Sequence, residues 1–173
     1  AMEEAARRLD LFEQGTHHVE TMLAEQEKVA HAQTPIEQLD VDVLAHDAVG
    51  LLGPERRSSA RIVVDDSLHD LPAVHSFRVP LVQVLLNLLT NAVDSIQQSD
   101  IEEGRIVVWA KPGESSPDRV HVRVTDNGAG IDTERLETIF QQGESSKPES
   151  EAGTGLNWSA TIIGGIGGRL YAE

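Results

Sequence analysis

The stretch from Val79 to Gln98 constrains the fold more than any other part of this chain. Val79-Pro80 opens a helix, because proline is tolerated in the first turn, where its missing N–H is not needed. Leu81, Val84, Leu85, Leu88, Leu89, Ala92, Val93 and Ile96 cover most of its circumference. A helix apolar nearly all round has to be covered by other elements. A polar stripe still crosses it: Asn87 and Asn91 lie one turn apart, with Gln83 one turn before and Asp94 at the next near-turn. Buried amides need partners. The stripe is either a solvated edge, or its amide oxygens hold a magnesium ion and phosphates, since Mg²⁺ takes oxygen ligands and keeps several waters.

The other elements follow in an order that could surround such a helix. Residues 3–33 read as one long helix with Leu9, Phe12, Thr16, Val19, Leu23, Gln26 and Ala30 in a heptad seam. Thr16 and Gln26 are polar, which favours a helical hairpin or four-helix bundle over a two-stranded zipper. Pro35 ends that helix. A shorter amphipathic helix, Val41 to Leu52, stops at Gly53-Pro54, and Arg61 to Asp65 is a strand. Asp66 to Ser76 is a connection. Strands Ile106 to Ala110 and Val120 to Thr125 flank a loop, Lys111 to Asp118, and read as a hairpin. A short helix over Thr133 to Phe140 precedes a Ser-, Glu- and Gly-rich surface loop, 141–152. A last helix runs from Gly153 to about Ile163, and Arg169 to Ala172 begins a strand. The order predicts an α+β sandwich preceded by a bundle-type helix.

Val120 to Thr125 ends in Asp126-Asn-Gly-Ala-Gly-Ile131. Asp126, at the junction of strand and turn, suits a carboxylate that accepts a hydrogen bond from a planar amine. Glycine at alternate positions lets a flat ligand approach the backbone. Asp-Asn-Gly is also a common turn sequence, and by itself decides nothing. Gly153-Thr154-Gly155, entering a helix, offers free N–H groups and a dipole end to an anion. Lys147 is either a phosphate contact or an ordinary solvated lysine. The formal charge of −15 argues against nucleic acid, because phosphate-backbone binding relies on clustered Lys and Arg. An anion bound here needs a metal ion, backbone amides and a helix N-terminus for its positive field. The chain has no cysteine, so neither a disulfide framework nor a thiolate metal site is expected. Its histidines are scattered, with no metal cluster. No apolar run is long enough to span a bilayer and no signal peptide opens the chain, so no membrane contact is expected. Ala1 before Met2 reads as an expression scar, and the chain as a piece of a longer protein.

Together these motifs resemble the ATP-binding catalytic domain of two-component sensor histidine kinases, within the gyrase–Hsp90–histidine kinase–MutL ATPase superfamily. The Gln83 to Asp94 stretch is similar to its N box, Asp126 to Ile131 to its G1 box, Ile139-Phe140 to its F box, and Gly153 to Leu156 to its G2 box. The resemblance covers residues 37–173. Residues 1–34 look like part of the dimerisation and histidine-phosphotransfer hairpin, its second helix. The resemblance implies the two-layer Bergerat sandwich with a mixed sheet, ATP and Mg²⁺ as cofactors, and 141–152 as the ATP lid. It implies an ATP-dependent protein histidine kinase, cytoplasmic, that acts with a response regulator receiver domain and is homodimeric through the hairpin in the full-length protein. Asp126 would accept from the adenine amino group; Gly128, Gly130 and Ile131 would shape the adenine pocket. Asn91 would ligate Mg²⁺ and Asn87 would orient the phosphates, as the two catalytic residues. Lys147, Gly153, Thr154, Gly155 and Leu156 would close over the triphosphate. The kinase branch is favoured over gyrase or MutL because Asn87 stands where those hydrolases carry a water-activating glutamate.

Departures from the family pattern set the alternatives. The lid has Gly143-Glu144-Ser145-Ser146-Lys147 in place of an aromatic and two threonines. Asp94 stands where many members carry a cation or an amide. The chain stops at Glu173, one strand short of the family's sheet, and no phosphoacceptor motif is found; His17 and His18 read as exposed structural histidines. The fragment is therefore expected to bind Mg-ATP without autophosphorylating alone. A degenerate nucleotide-sensing or partner-docking module is the second reading, and a hydrolase or serine kinase of the same superfamily the third.

Overall fold

A computed structural model describes residues 35–113, 116–136, 138–140 and 154–173. The expected hairpin helix, the lid, Lys147 and Gly153 lie outside the described residues. The rest belongs to one compact unit, Ile36–Glu173.

Strand β1 (Glu37–Leu39) leads into helix α1 (Val41–Leu51), capped by Asp40, whose Oδ1 accepts from Asp42 N at 2.9 Å. Helix α2 (Pro54–Ser58) starts on proline, and β2 (Arg61–Val64) follows. A 3₁₀ turn, Asp66–Leu68, precedes β3 (Val74–Ser76). Helix α3 (Arg78–Gln97) is the longest element among the described residues, followed by β4 (Arg105–Gly113), β5 (Ser116–Asp126) and helix α4 (Thr154–Gly165). β2, β4 and β5 form a mixed sheet in that order, β2 parallel to β4 and β4 antiparallel to β5. β1 and β3 make a separate antiparallel pair.

Alternation along the strands sets the layers. Ile106, Val108 and Ala110 of β4 are buried and, with Val120, Val122 and Val124 of β5, face the helices. Against them pack Leu85, Leu89, Val93 and Ile96 of α3, and Leu44, Ala45 and Ala48 of α1. This core contains no aromatic side chain among its buried members, as the scarcity of Phe, Trp and Tyr requires. α3 is long and apolar enough to cross a membrane by length and composition alone, with a mean hydropathy of 1.4. Here Val82, Val84, Leu85, Leu89, Ala92, Val93 and Ile96 are buried in the protein, while Val79 at its start is exposed.

Four local expectations differ from what is observed. The loop expected over Lys111 to Asp118 is shorter, since β4 continues to Gly113 and β5 begins at Ser116. Pro112 is tolerated because β2 pairs only with Arg105 to Val108, so no neighbour needs its missing N–H. In place of a helix over Thr133 to Phe140 there is a 3₁₀ turn, Thr133–Arg135, after which Arg135 O accepts from Thr138 N, Ile139 N and the Thr138 hydroxyl. That hydroxyl competes with helical bonding. Residues 169–173 carry no strand assignment. Side chains hold them and the preceding Gly167 beside β5: Arg119 Nη1 donates to Gly167 O at 2.9 Å, Tyr171 OH pairs with His121 Nε2 at 2.7 Å, and Arg123 pairs with Glu173. The connection expected over Asp66 to Ser76 contains both the 3₁₀ turn and β3.

Candidate functional site

The turn after β5 is fixed to the end of α3 by the groups that its glycines and Asn127 leave available. Asp126 Oδ1 accepts from Gly128 N at 2.9 Å, closing the turn on its own carboxylate. Gly128 then lies so close to α3 that a Cβ would stand 2.5 Å from the Ser95 carbonyl carbon and 2.6 Å from Ile96 N. That approach lets Ala129 N donate to Ser95 O at 3.1 Å. Ser95 O is among the last carbonyls of α3, which have no partner inside the helix. Asn127 secures the other side, accepting from Arg105 N at 2.7 Å and donating to Glu103 O at 3.0 Å. Gly130 has φ +74°, a conformation that side-chain-bearing residues avoid. Asp126 is held half-buried at the junction of sheet and helix.

One to two turns earlier on α3, the two asparagines differ in their partners. Asn87 Nδ2 donates to Ser159 Oγ at 3.3 Å and to Gly155 O at 3.4 Å, joining α3 to the start of α4. Its Oδ1 accepts from the exposed Gln83 at 3.5 Å. Ser159 is wholly buried, so its hydroxyl needs such a partner. The Asn91 side chain lines the same cleft one turn on, and no hydrogen bond to it is made among the described residues.

These groups share a cleft of about 650 Å³ bounded by α3, β5, the turn, the start of α4 and residues 169–173. Of the residues expected at the site, Asn87, Asn91, Asp126, Gly128, Gly130, Ile131, Gly155 and Leu156 line it. Thr154 is the first residue of α4. Asp94 lines the cleft too, with Oδ1 3.4 Å from Arg56 Nη1, so a cation from α2 offsets the one acid on the helix wall. Arg135 and Arg169 also line it, as do the acids Asp132 and Glu173. The sequence reading missed Ser95, Ser159, Arg135 and Tyr171. Ser159 had a signal, four residues beyond Gly155 and hence on the same face of α4; the others reach the cleft only through tertiary packing.

No group of three or more His, Cys, Asp or Glu side chains among the described residues could hold a metal. The donor set suits a hard cation held by an asparagine oxygen, waters and the oxygens of a bound ligand.

A mixed sheet layered with helices, and a cleft where an Asp-Gly turn meets an asparagine-striped helix, define a nucleotide-type ATPase fold. The chain belongs to the histidine kinase-, DNA gyrase B- and HSP90-like ATPase family, which matches residues 77–173. It is 34% identical over 139 residues to the sensor protein FixL of Bradyrhizobium diazoefficiens, covering 80% of this chain and 26% of that protein. It is 33% identical over 159 residues to the sensor histidine kinase ZraS of Salmonella typhi, covering 91% of this chain and 32% of that one. Among solved structures, the catalytic domain of the histidine kinase ThkA superposes with a TM-score of 0.63 at 25% identity, covering 81% of this chain and 89% of that one. The chain thus spans about a quarter to a third of these curated relatives.

Proposed function

We propose that residues 37–173 bind Mg-ATP as the catalytic part of a two-component sensor kinase and transfer its γ-phosphoryl group to a histidine. The observation that carries this reading is the convergence of Asp126, Asn91, Asn87 and Gly155 on one cleft. Its volume lies within the usual range for small-molecule sites, about 300–1,000 Å³. Asp126 accepts from the adenine amino group through the carboxylate oxygen not taken by Gly128. Gly128, Gly130 and Ile131 shape the pocket around the base. Asn91 offers its amide oxygen to magnesium, and Asn87 keeps its oxygen for the phosphate end while its amino group holds α4. Magnesium, when bound, neutralises phosphate charge. Lys147, Gly153, Thr154, Gly155 and Leu156 close over the triphosphate from the lid, 141–152, and the N-terminus of α4.

In the transfer, a neutral imidazole nitrogen attacks the γ-phosphorus, the bridging P–O bond to the β-phosphate breaks, and ADP leaves. This chain contributes position and charge neutralisation rather than a covalent step. The acceptor histidine belongs to the phosphotransfer hairpin, of which 1–34 is the second helix and through which the full-length protein dimerises. A response regulator receiver domain then takes the phosphoryl group, on the cytoplasmic side.

Calorimetric titration of Mg-ATP into the protein, beside Asp126→Asn, tests the reading. The substitution keeps an oxygen for Gly128 N–H but turns the adenine-facing acceptor into a donor. Magnesium-dependent binding by the wild type, reduced about 100-fold or more in the variant, is expected, since two donors facing each other leave buried groups unpaired. Absence of binding by the wild type sinks the proposal in favour of a docking module. Phosphate release without any histidine acceptor would point instead to a hydrolase.

A further inference from the structure

The face of the mixed sheet turned away from the helices has a composition unlike the rest of the chain. Register places Arg61 of β2 beside Arg105 of β4, Trp109 beside Arg123, and Lys111 beside His121. With Val63, Val107 and Thr125 these are the alternate positions opposite the core-facing Ile106, Val108, Val122 and Val124. The chain carries 29 Asp and Glu against 14 Lys and Arg, yet none of these nine positions is acidic. Like charges directly opposite on adjacent strands oppose pairing. Arg61 and Arg105 are both exposed, and neither guanidinium has an ion pair or hydrogen bond among the described residues. Arg123, by contrast, pairs with Glu173 and lies over the Trp109 ring, 5.5 Å from its centroid. Beside Arg105 is a recess of about 380 Å³ lined by Arg105, Val107, Trp109 and Thr125, with Asp126 and Asn127 at the end where β5 meets the turn.

We propose that this face docks an extended acidic segment of a partner protein, with carboxylates at Arg61 and Arg105 and apolar side chains over Val107 and Trp109. Along β4, Arg105, Val107 and Trp109 succeed one another at about 7 Å, the two-residue repeat of an extended chain. A peptide lying along β4 presents its own alternate side chains at that same interval. A cationic end and an apolar floor therefore fit an acidic residue followed, two and four positions on, by apolar ones. A nucleic acid strand is the poorer occupant. Its phosphates would extend past these few cations into the field of a strongly acidic chain. The surface lies on the opposite face of the sheet from the helices, its recess sharing only Thr125 and Asp126 with the cleft, and the proposal does not depend on nucleotide binding.

The probe is a fluorescein-labelled peptide, Glu-Glu-Ser-Leu-Ser-Phe, titrated with the protein by fluorescence anisotropy at low and moderate salt. Saturable binding that weakens with salt is expected, reduced about tenfold or more by the double substitution Arg61→Glu and Arg105→Glu, as for paired interfacial charges. Arg57→Glu, an equal charge change on α2, should leave it nearly unchanged. The single variant Arg105→Glu should lose binding while its melting temperature stays level or rises, because it replaces a like-charge pair by an opposite one. A fall in melting temperature with peptide binding intact would make these arginines structural and overturn the proposal. So would the absence of saturable binding, equal loss in Arg57→Glu, or tighter binding of an oligothymidylate of matched length.

Discussion

Gly128 shows how closely residue identity and site geometry are linked here. Its Cα hydrogen occupies the space next to the α3 backbone where a methyl group would meet Ser95 and Ile96. Backbone cannot rotate away as the tip of a side chain can, so Gly128→Ala has to lift the turn off the helix. The hydrogen bond from Ala129 N to Ser95 O would break, and the Asp126 carboxylate would move with the turn. A loss of about 1–3 kcal/mol, as for overpacking in a filled interior, is expected in urea denaturation. Nucleotide binding should fall more than stability does, measured on the fraction that remains folded. A variant that binds Mg-ATP normally at full stability would show that the turn is not seated as described. Asn127 works differently, continuing the hydrogen bonding of β5 with side-chain atoms once the strand has ended. This is why Asp-Asn-Gly, ambiguous as a turn sequence, becomes specific once the strand and helix around it are in place.

At the scale of elements, the two ends of the site-bearing helices are secured by different means. α3 ends with its Ser95 carbonyl accepting from Ala129 N of the turn, whereas α4 ends on its own glycines. Gly168 N donates to Ile163 O at 2.8 Å and Gly167 N to Gly164 O at 3.0 Å, with Gly167 at φ +77°. These are the 6→1 and 5→2 bonds of a Schellman motif, which requires a left-handed residue at Gly167. Gly167→Ala should therefore cost about 1–2 kcal/mol, the penalty of that conformation for a residue with a Cβ. Gly50 in α1 makes the contrast, since its φ is not left-handed and nothing lies within 4 Å of a Cβ there. Gly50→Ala should stabilise by about 0.5–1 kcal/mol. Paired urea midpoints read both, and the same sign for the two would contradict the assignment of backbone geometry. The segment after the α4 cap, 169–173, is held by His121 and Arg123 rather than by strand hydrogen bonds. Its expected strand rested on residue type, and residue type does not supply a pairing neighbour.

For the molecule as a whole, what the sequence revealed depended on how local its cause was. α1, α3 and the strands of the mixed sheet follow from periodicity within each segment, and their observed ends lie within a few residues of expectation. β1 and β3 are three residues long and pair across thirty-seven positions, so no periodicity could announce them. Asp126, Asn91 and Asn87 were legible as candidates because resemblance and local spacing agreed. The bond from Asn87 to Ser159, and the offset of Asp94 by Arg56, come from distant parts of the chain and appear only in three dimensions. The core and the cleft share α3, so a substitution can affect binding through the fold or through the site, and linkage separates the two. A ligand that binds only the folded state at 100 times its dissociation constant adds about 2.7 kcal/mol of stability. For a unit of this size that is a melting shift of roughly 9 °C. Leu89, 1% exposed in the middle of α3, contributes to the core alone. Leu89→Ala should cost about 2–5 kcal/mol, a large part of a typical total, and still show nearly the full Mg-ATP-induced shift. Asp126→Asn should melt close to wild type without nucleotide and lose the shift. Both curves can be recorded by circular dichroism on the same preparations. If Leu89→Ala loses the shift while Asp126→Asn keeps it, adenine recognition has been assigned to the wrong wall of the cleft.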